Sequence, residues 1–265
     1  MGTDPLITLT TDFGLDDPFA GVMKGVILSI VPNAQIIDLT HGIMPHAVRE
    51  AAFTIGMNYF FFPLRTVHLV IVDPGVGSER RPLLVSAGGH YFIGPDNGIF
   101  SCIYEKERAS LRVLHITADR YFLRKESPTF QGRDVFAPIA AQVASGLNGA
   151  DVGREITDYV KIELPKPGIE YNILRGEVIH IDRFGNCMTN IGLADIAALA
   201  EGCSGSHPRL FFRGAEIPLT KFYGGAEGRA LCAVMNSSGY LEIFVNRGSA
   251  SSFYDISIGD RVEIK

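Results

Sequence analysis

Short β-rich runs alternate with segments of helical periodicity in the first part of the chain, and this alternation restricts the fold more than any other feature. The sequence predicts strands at Leu6–Thr11, Gln35–Leu39 and Val67–Val72, with helices at Pro18–Ile30 and Ala47–Phe61 between them. The strands are rich in β-branched residues, and the apolar residues of the helices recur at helical spacing. Because strands and helices alternate, we expect a mainly parallel sheet with helices packed on it.

A hairpin is predicted to extend this sheet. Leu83–Ala87 and His90–Ile93 are apolar runs joined by two glycines, which favour a tight antiparallel turn. The turn at Asp96 is expected to lead into a short helix. Further along the chain, Ser110–Thr117 predicts another strand and Asp134–Ala144 another helix.

The character of the sequence changes near Lys161, where prolines and a glycine follow closely and no long helical pattern comes after them. Short alternating runs separated by Gly, Asn and Ser turns follow, at Gly176–Asp182, Arg209–Phe212, Ala230–Met235, Tyr240–Val245 and Arg261–Ile264. This pattern is typical of a small antiparallel barrel or sandwich. The predicted architecture is an N-terminal α/β domain at residues 1–165 and a smaller C-terminal all-β, barrel-like domain at residues 170–265.

Charge and hydropathy exclude several classes of partner. The formal net charge is −5, so nothing favours binding to nucleic acid or to an acidic membrane, and we expect a small neutral or cationic ligand. The N-terminus shows no secretory signal, and the longest apolar run, Phe53–Pro63, is too short to span a membrane. We therefore predict a cytoplasmic protein.

The cysteines do not indicate a metal site. Cys102, Cys187, Cys203 and Cys232 are scattered, with no CxxC pair and no histidine at ligand spacing. We predict that they are buried free thiols and that the protein holds no metal.

The strand that ends at Asp73 runs into a glycine-rich turn and then Arg80, which predicts a polar pocket at a sheet edge. Two interpretations stay open. Asp73 and Arg80 are either an ordinary ion pair, or a carboxylate that handles a nucleophile and an arginine that fixes its direction. The GxG of this turn lacks the third glycine of a dinucleotide-binding loop, and no Walker motif is present.

Asp12 follows the first strand, where open α/β sheets collect ligands. Its carboxylate could hold a ribose diol or cap the next helix. Phe130 and Gln131 precede a glycine and are predicted to face a ligand, whereas Arg133 and Asp134 are expected to form a helix cap and a solvated ion pair.

Two polar clusters follow strands of the second domain. One spans Asp182 to Asn190 and the other Asn236 to Tyr240. Each is either a hairpin turn or part of a binding site, and together they favour a zwitterionic ligand.

Five ordered motifs together resemble one family. They are TTDFG at Thr10, VDPGVGSERR at Val72, FQGRDVFAP at Phe130, DRFGNCMTN at Asp182 and NSSGYLEIFVNRG at Asn236. The chain resembles the S-adenosylmethionine (SAM) hydroxide adenosyltransferases, relatives of the SAM-dependent fluorinase and chlorinase, from about Ile7 to Lys265. The resemblance implies homotrimers whose active sites lie between one subunit's first domain and its neighbour's second.

The resemblance also implies roles for individual residues. Asp12 would hold the ribose hydroxyls, Phe130 would line the cleft and His46 would lie beside the sugar. Four residues of the second domain would receive the amino and carboxylate ends of methionine: Asp182, Phe184, Asn186 and Ser237. Tyr240 and Asn246 belong to the same motifs.

Three positions separate the branches of this family. Halide-using relatives carry tyrosine at the position of Asp73, whereas water-using relatives carry Asp there, Arg at the position of Arg80 and His in a TFHGRD motif. This chain has the Asp and the Arg but carries Gln131 in place of the histidine. Glutamine orients water but does not take up a proton near neutral pH.

The implied reaction is hydrolysis of SAM to adenosine and L-methionine by water at the ribose C5′, with Asp73, Arg80 and Gln131 as catalytic residues. SAM is the substrate, and no cofactor is expected. Two alternatives stay open: a SAM- or adenosine-binding protein with weakened catalysis, and a SAM-dependent halogenase.

Overall fold

A computed structural model of the chain describes residues 4–123, 128–202 and 208–265. The chain divides into two compact units, Met1–Leu164 and Pro165–Lys265, each with its own hydrophobic core.

The first unit contains a seven-stranded sheet. Its strands are β1 (Leu6–Thr11), β2 (Gln35–Thr40), β3 (Val67–Ile71), β4 (Pro82–Ala87), β5 (His90–Pro95), β6 (Arg112–Ile116) and β7 (Gly153–Glu155). The order is β2-β1-β3-β5-β4-β6-β7, in which the first four strands are parallel and β4, β6 and β7 add antiparallel pairs. The predicted sheet with helices and the β4–β5 hairpin are confirmed.

Helices cover both faces of this sheet. They are α1 (Phe19–Ile30), α2 (Val48–Asn58), α3 (Ser101–Lys106), α4 (Ala137–Ala144) and α5 (Gly149–Val152). Alternate residues of β3 point to opposite faces, so Leu69 packs in the core with α1 and α4, while Val70 packs in the core with α2 and α3. Because β3 is buried on both faces, its whole length is apolar apart from His68.

The helix predicted at Asp134–Ala144 begins differently. A π-helical segment at Gly132–Phe136 leads into α4. Pro138 has no N–H, so it cannot bond to the carbonyl of Asp134 one turn earlier. That carbonyl accepts from the backbone N–H of Leu123 at 2.8 Å instead.

The second unit contains a nine-stranded sheet. Its strands are β8 (Gly168–Glu170), β9 (Ile173–Ile181), β10 (Cys187–Gly192), β11 (Leu210–Phe212), β12 (Ala215–Ile217), β13 (Leu219–Thr220), β14 (Leu231–Met235), β15 (Tyr240–Val245) and β16 (Arg261–Ile264). The order is β12-β11-β16-β9-β10-β15-β14-β13 with β8 beside β9, and only the β13–β14 pair among these strands is parallel. The predicted barrel-like antiparallel sheet is confirmed.

Two helices of this unit were not predicted, α6 (Leu193–Gly202) and α7 (Ala250–Tyr254), so the unit is not built of strands alone. The Asp195 carboxylate accepts from the backbone N–H of Gly192 at 2.8 Å and holds the start of α6. Ile196 and Leu199 pack against the core of the unit. With five residues, α7 is too short to show a helical period, which explains why the pattern did not reveal it.

Three of the four cysteines are buried free thiols, as predicted: Cys102, Cys187 and Cys232. Burial raises the pKa of Cys102 and of Cys187 to about 12. Cys203 lies outside the described residues. Among the helices of residues 4–123, 128–202 and 208–265, none has the length and apolarity needed to cross a membrane.

Candidate active site

Polar residues meet at the carboxyl end of the parallel strands of the first unit. Asp12 directly follows β1, and Asp73 follows β3 after one further residue. Both line a cavity of about 320 Å³. The other lining residues are Phe13, Asp17, Phe19, Pro45, His46, Ile71, Val76, Thr129, Phe130, Gln131 and Gly132. This is the edge at which open α/β sheets bind ligands.

Asp73 and Arg80 form a bidentate ion pair. The Arg80 Nε atom lies 2.9 Å from Asp73 Oδ1, and Nη2 contacts Oδ2. The two side chains are 8% and 6% exposed, so solvent screens this pair little. The guanidinium carbon also lies 5.3 Å from the centre of the Phe136 ring, which covers one face of the arginine.

Gln131 joins this pair, and its amide orientation follows from simple chemistry. Arg80 Nη2 donates to Gln131 Oε1 at 2.5 Å. A guanidinium has only donors, so the amide oxygen must face Arg80 and the amide nitrogen must face away. Gln131 Nε2 bonds to none of the described residues, which leaves an N–H donor for the cavity. Arg80 Nη1 is buried and also has no partner among them.

Asp12 does not cap the following helix. Pro18 occupies the N-cap position of α1, where no side chain accepts a hydrogen bond. Asp12 Oδ2 instead accepts from the backbone N–H of His46 at 2.9 Å. His46 has a positive φ of 67°, so this contact holds an uncommon backbone conformation at the cavity wall. The other oxygen of Asp12 forms no bond with the described residues and is available to a ligand.

An aromatic cluster lines the same cavity, and the sequence analysis identified only Phe130 among its members. The ring centres of Phe13, Phe19 and Phe130 lie 5.2 to 6.1 Å apart. The only signals in the sequence are that Phe13 follows Asp12 in the TTDFG motif and that Phe19 starts α1.

Arg133 and Asp134 form an ion pair, as expected, with Arg133 Nε 2.7 Å from Asp134 Oδ1. The pair is only partly solvated, because the Asp134 side chain is buried while the Arg133 side chain is 25% exposed, and it caps no helix. The Arg133 guanidinium lies 5.2 Å from the centre of the Phe130 ring and holds that ring from outside the cavity.

The second unit has its own pocket, of about 590 Å³. It is lined by Asp182, Phe184, Asn186, Tyr223, Val245, Arg247, Gly248 and Ser249. The Asp182 carboxylate accepts from the backbone N–H groups of Phe184 and Asn186 at 2.9 and 2.8 Å, and from Asn186 Nδ2 at 3.1 Å. Gly185 has φ +82°, and a Cβ there would collide with Ser249. Asp182 therefore organises the tight turn that presents Phe184.

Three predicted binding residues do not line this pocket. Ser237 is exposed on the turn before β15, and Tyr240 starts that strand. The Asn246 side chain donates to the carbonyl of Ala226 at 2.9 Å, so it holds a loop.

The pocket contains five residues that the sequence analysis did not identify as site residues, three of which have polar side chains: Tyr223, Val245, Arg247, Gly248 and Ser249. Arg247 and Ser249 lie just after Asn246, within or beside the last motif, whereas no local signal marks Tyr223. Burial, followed by a hydrogen bond to Glu242, raises the pKa of Tyr223 to about 12.

Comparison with known proteins gives consistent matches over the chain. The family model described as the SAM hydroxide adenosyltransferase N-terminal domain matches residues 7–153, and that of the C-terminal domain matches residues 176–263. A protein of Methanocaldococcus jannaschii named (R)-S-adenosyl-L-methionine hydrolase is 35% identical over 98% of this chain and 95% of its own length. A fluorinase of Nocardia brasiliensis is 28% identical over 100% of this chain and 98% of its own.

A solved structure supports the same assignment. An uncharacterized conserved protein from Thermotoga maritima superposes with a TM-score of 0.89 at 35% identity, covering 97% of this chain and 99% of that one.

Proposed function

The chain belongs to the SAM hydroxide adenosyltransferase family, and from that premise we propose that it hydrolyses (R)-S-adenosyl-L-methionine to adenosine and L-methionine. Hydrolases of this name are 33–35% identical to it, whereas the fluorinases are more distant. The observation that carries the proposal is the group of Asp73, Arg80 and Gln131, which supplies an acceptor and a donor for one water molecule at a sheet edge that also holds Asp12.

The leaving group of this reaction departs as a neutral thioether. The water oxygen forms a bond to C5′ while the C5′–S bond breaks. The electron pair of the broken C5′–S bond stays on sulfur and turns the sulfonium into the neutral thioether of methionine. No acid is required, because the leaving sulfur needs no proton. The enzyme must therefore place water in line with the C–S bond and accept the proton that water loses.

Asp73 is the proposed proton acceptor, and Arg80 fixes the direction of its carboxylate. Gln131 Nε2 would donate to one lone pair of the water while the water donates to Asp73. The second lone pair of the water then stays free for C5′. Asp12 would hold the ribose hydroxyls with His46 beside the sugar, and the three phenyl rings would face the sulfonium, whose charge favours aromatic faces.

The second unit is proposed to receive the parts of SAM beyond the ribose. Phe184 and Tyr223 are 75% and 45% exposed, and both line its pocket, so they offer flat surfaces on which a purine base could stack. Asp182, Asn186 and Ser237 would serve the methionine end, with Tyr240 and Asn246 supporting them. The roles at the methionine end follow the family resemblance, which also implies that end for Phe184, whereas purine stacking on Phe184 and Tyr223 rests on their exposure in the pocket alone.

We also propose a homotrimer in which each active site combines residues of two subunits, as the family resemblance implies. Light scattering is expected to give a mass three times the 28.8 kDa of one chain. A monomeric mass would contradict the shared site. The free thiols at Cys102, Cys187 and Cys232 fit the reducing cytoplasm, where we propose that the protein acts.

The proposed function is tested by incubating the purified protein with SAM in ¹⁸O-labelled water and separating the products by chromatography. Adenosine and methionine should form in equal amounts, with the label in the 5′-hydroxyl of adenosine. Binding of SAM without product would favour the alternative of a binding protein. A halogenated nucleoside in parallel reactions with chloride or fluoride would favour a halogenase, which Asp73 argues against.

Gln131→His is expected to preserve or raise turnover, because histidine can orient the water and also take up its proton. Proton transfer by a positioned side chain contributes about 10²–10⁴-fold to the rate, and this range is the upper bound on the gain in turnover. Steady-state kinetics with SAM measure the change. Gln131→Leu serves as the matched control, since it keeps the approximate size but removes the donor and should lower turnover. A large loss in Gln131→His would instead show that the site depends on the amide.

A further inference from the structure

Glu242 is a buried carboxylate that has no charged partner among the residues that the structure describes. It lies within β15, and the residue is 6% exposed. Its Oε1 accepts from the Tyr223 hydroxyl at 2.7 Å, and its Oε2 accepts from Asn236 Nδ2 at 3.0 Å. Across the part of the chain that the structure describes, no lysine, arginine or histidine forms an ion pair with it. Burying a carboxylate is unfavourable unless its partners compensate, and an apolar residue would satisfy the fold better.

One partner of Glu242 belongs to the pocket of the second unit. Tyr223 lines that pocket, and its ring packs edge-on against Phe244 with ring centres 4.9 Å apart. Asn246 holds the carbonyl of Ala226, three residues after Tyr223. Positions 242 and 244 are alternate residues of β15 and project from the same side of its backbone, and Asn246 follows the last residue of the strand. Together the three residues hold the short 3-10 helix Tyr223–Gly225. Two of them contact the hydroxyl and the ring of Tyr223, and the third holds Ala226, which follows the helix.

The other partner shapes the turn that precedes β15. Asn236 Oδ1 accepts from the backbone N–H groups of Ser238 and Tyr240 at 3.0 and 3.1 Å. Ser237 lies on this turn. Because the same Asn236 side chain donates to Glu242, the carboxylate links the turn to the pocket wall at Tyr223.

We propose that Glu242 is a positioning residue for substrate binding, which holds the Tyr223 ring and the 236–240 turn in the arrangement that SAM and adenosine require. The inference rests on the proposed function. It assigns Glu242 no contact with substrate and no part in the chemical step. Removal of the Glu242 carboxylate should therefore weaken the binding of the substrate and of the transition state equally, which raises KM and leaves kcat unchanged.

Glu242→Gln is the first test. A glutamine side chain has one acceptor atom where the carboxylate has two, so Asn236 keeps its acceptor only if the Tyr223 hydroxyl turns round to accept from the amide nitrogen, and neither bond is then made to a charged group. A hydrogen bond to a charged group is worth about 1.5–3 kcal/mol, which corresponds to roughly 10-fold or more in affinity. We expect KM for SAM and Kd for adenosine to rise about 10-fold while kcat changes less than about twofold.

Tyr223→Phe removes only the hydroxyl and tests the same link if Glu242→Gln folds poorly. It should raise KM by a similar factor. The double variant Glu242→Gln/Tyr223→Phe should show less than the sum of the two single effects, because both changes act on the Glu242–Tyr223 bond. Glu263→Gln is the matched control, since Glu263 pairs with Arg175 and Lys265 outside the pocket, and its KM should equal that of the wild type.

A spectroscopic readout tests the contact without any activity. The chain has nine tyrosines and no tryptophan, so tyrosinate absorbance can be followed directly as pH rises. Burial is the larger cause of the Tyr223 pKa of about 12 and the bond to Glu242 the second, so this pKa should fall in part towards the ordinary tyrosine value in Glu242→Gln, where the anionic acceptor is lost. Tyr223→Phe identifies the signal of this residue.

The outcomes separate the two proposals. Absence of SAM turnover and of adenosine binding in the wild type would defeat the proposed function, whereas the titration would still report the Glu242–Tyr223 bond. An unchanged KM in both single variants, or fully additive effects in the double variant, would overturn the positioning role. An unchanged tyrosine titration in Glu242→Gln would overturn the contact itself.

Discussion

Asp73→Asn is expected to lower the turnover of SAM by about 10²–10⁴-fold, because a neutral amide cannot accept the proton that the attacking water loses. The substitution keeps the size of the side chain and one oxygen for Arg80. Its amide nitrogen, however, faces a guanidinium that has only donors, so one of the two bonds between the side chains is lost.

The measurement is single-turnover hydrolysis of SAM together with calorimetric binding of adenosine. Adenosine affinity should stay within about threefold of the wild type, since Asp73 acts on the water and Asp12 on the ribose. Asp96→Asn is the matched control, because Asp96 is another buried carboxylate paired with an arginine, Arg81, and it does not line the cavity. Unchanged turnover in Asp73→Asn would remove Asp73 from the mechanism.

Arg80→Met is expected to reduce both stability and catalysis. It leaves the Asp73 carboxylate, which is 6% exposed, without its cation. Breaking a buried ion pair by removing one partner costs about 3–5 kcal/mol of unfolding free energy. Gln131 also loses the contact that fixes its amide, so we expect kcat to fall by at least about 10²-fold.

The neighbouring arginine provides the control that separates stability from catalysis. Arg81→Met likewise leaves a buried carboxylate, Asp96, without its ion-pair partner. It should therefore lose stability in urea unfolding but keep its kcat when assayed well below its melting temperature. Equal values of kcat for Arg80→Met and Arg81→Met would show that Arg80 has a structural role alone.

The sequence by itself determined the elements whose residue pattern extends over several turns or several alternations. The bounds of β1, β15 and β16 agree with the prediction, and α1 agrees to within one residue. Periodicity encodes which face of an element is buried, and this information is local. The five motifs likewise determined the family, because a motif is a run of consecutive residues and can be read without knowledge of the fold.

Contacts between distant segments were decided only by the tertiary structure. Gln131 meets Arg80 across 51 positions, and Asp12 meets the backbone of His46 across 34. The sequence pattern could not decide whether Asp12 caps a helix. It also could not reveal that Tyr223 lines a pocket and bonds to Glu242. Such contacts depend on how loops pack after the sheet forms, and no local periodicity records them.

Asp73 and Arg80 show both parts of this division. A strand end, a glycine turn and an arginine were enough to predict a polar pocket at the sheet edge. Only the folded chain shows that Arg80 faces the amide oxygen of Gln131 and thereby turns its nitrogen away. The physical reason is that hydrogen-bond direction depends on which donor meets which acceptor, and that pairing exists only once the segments have come together.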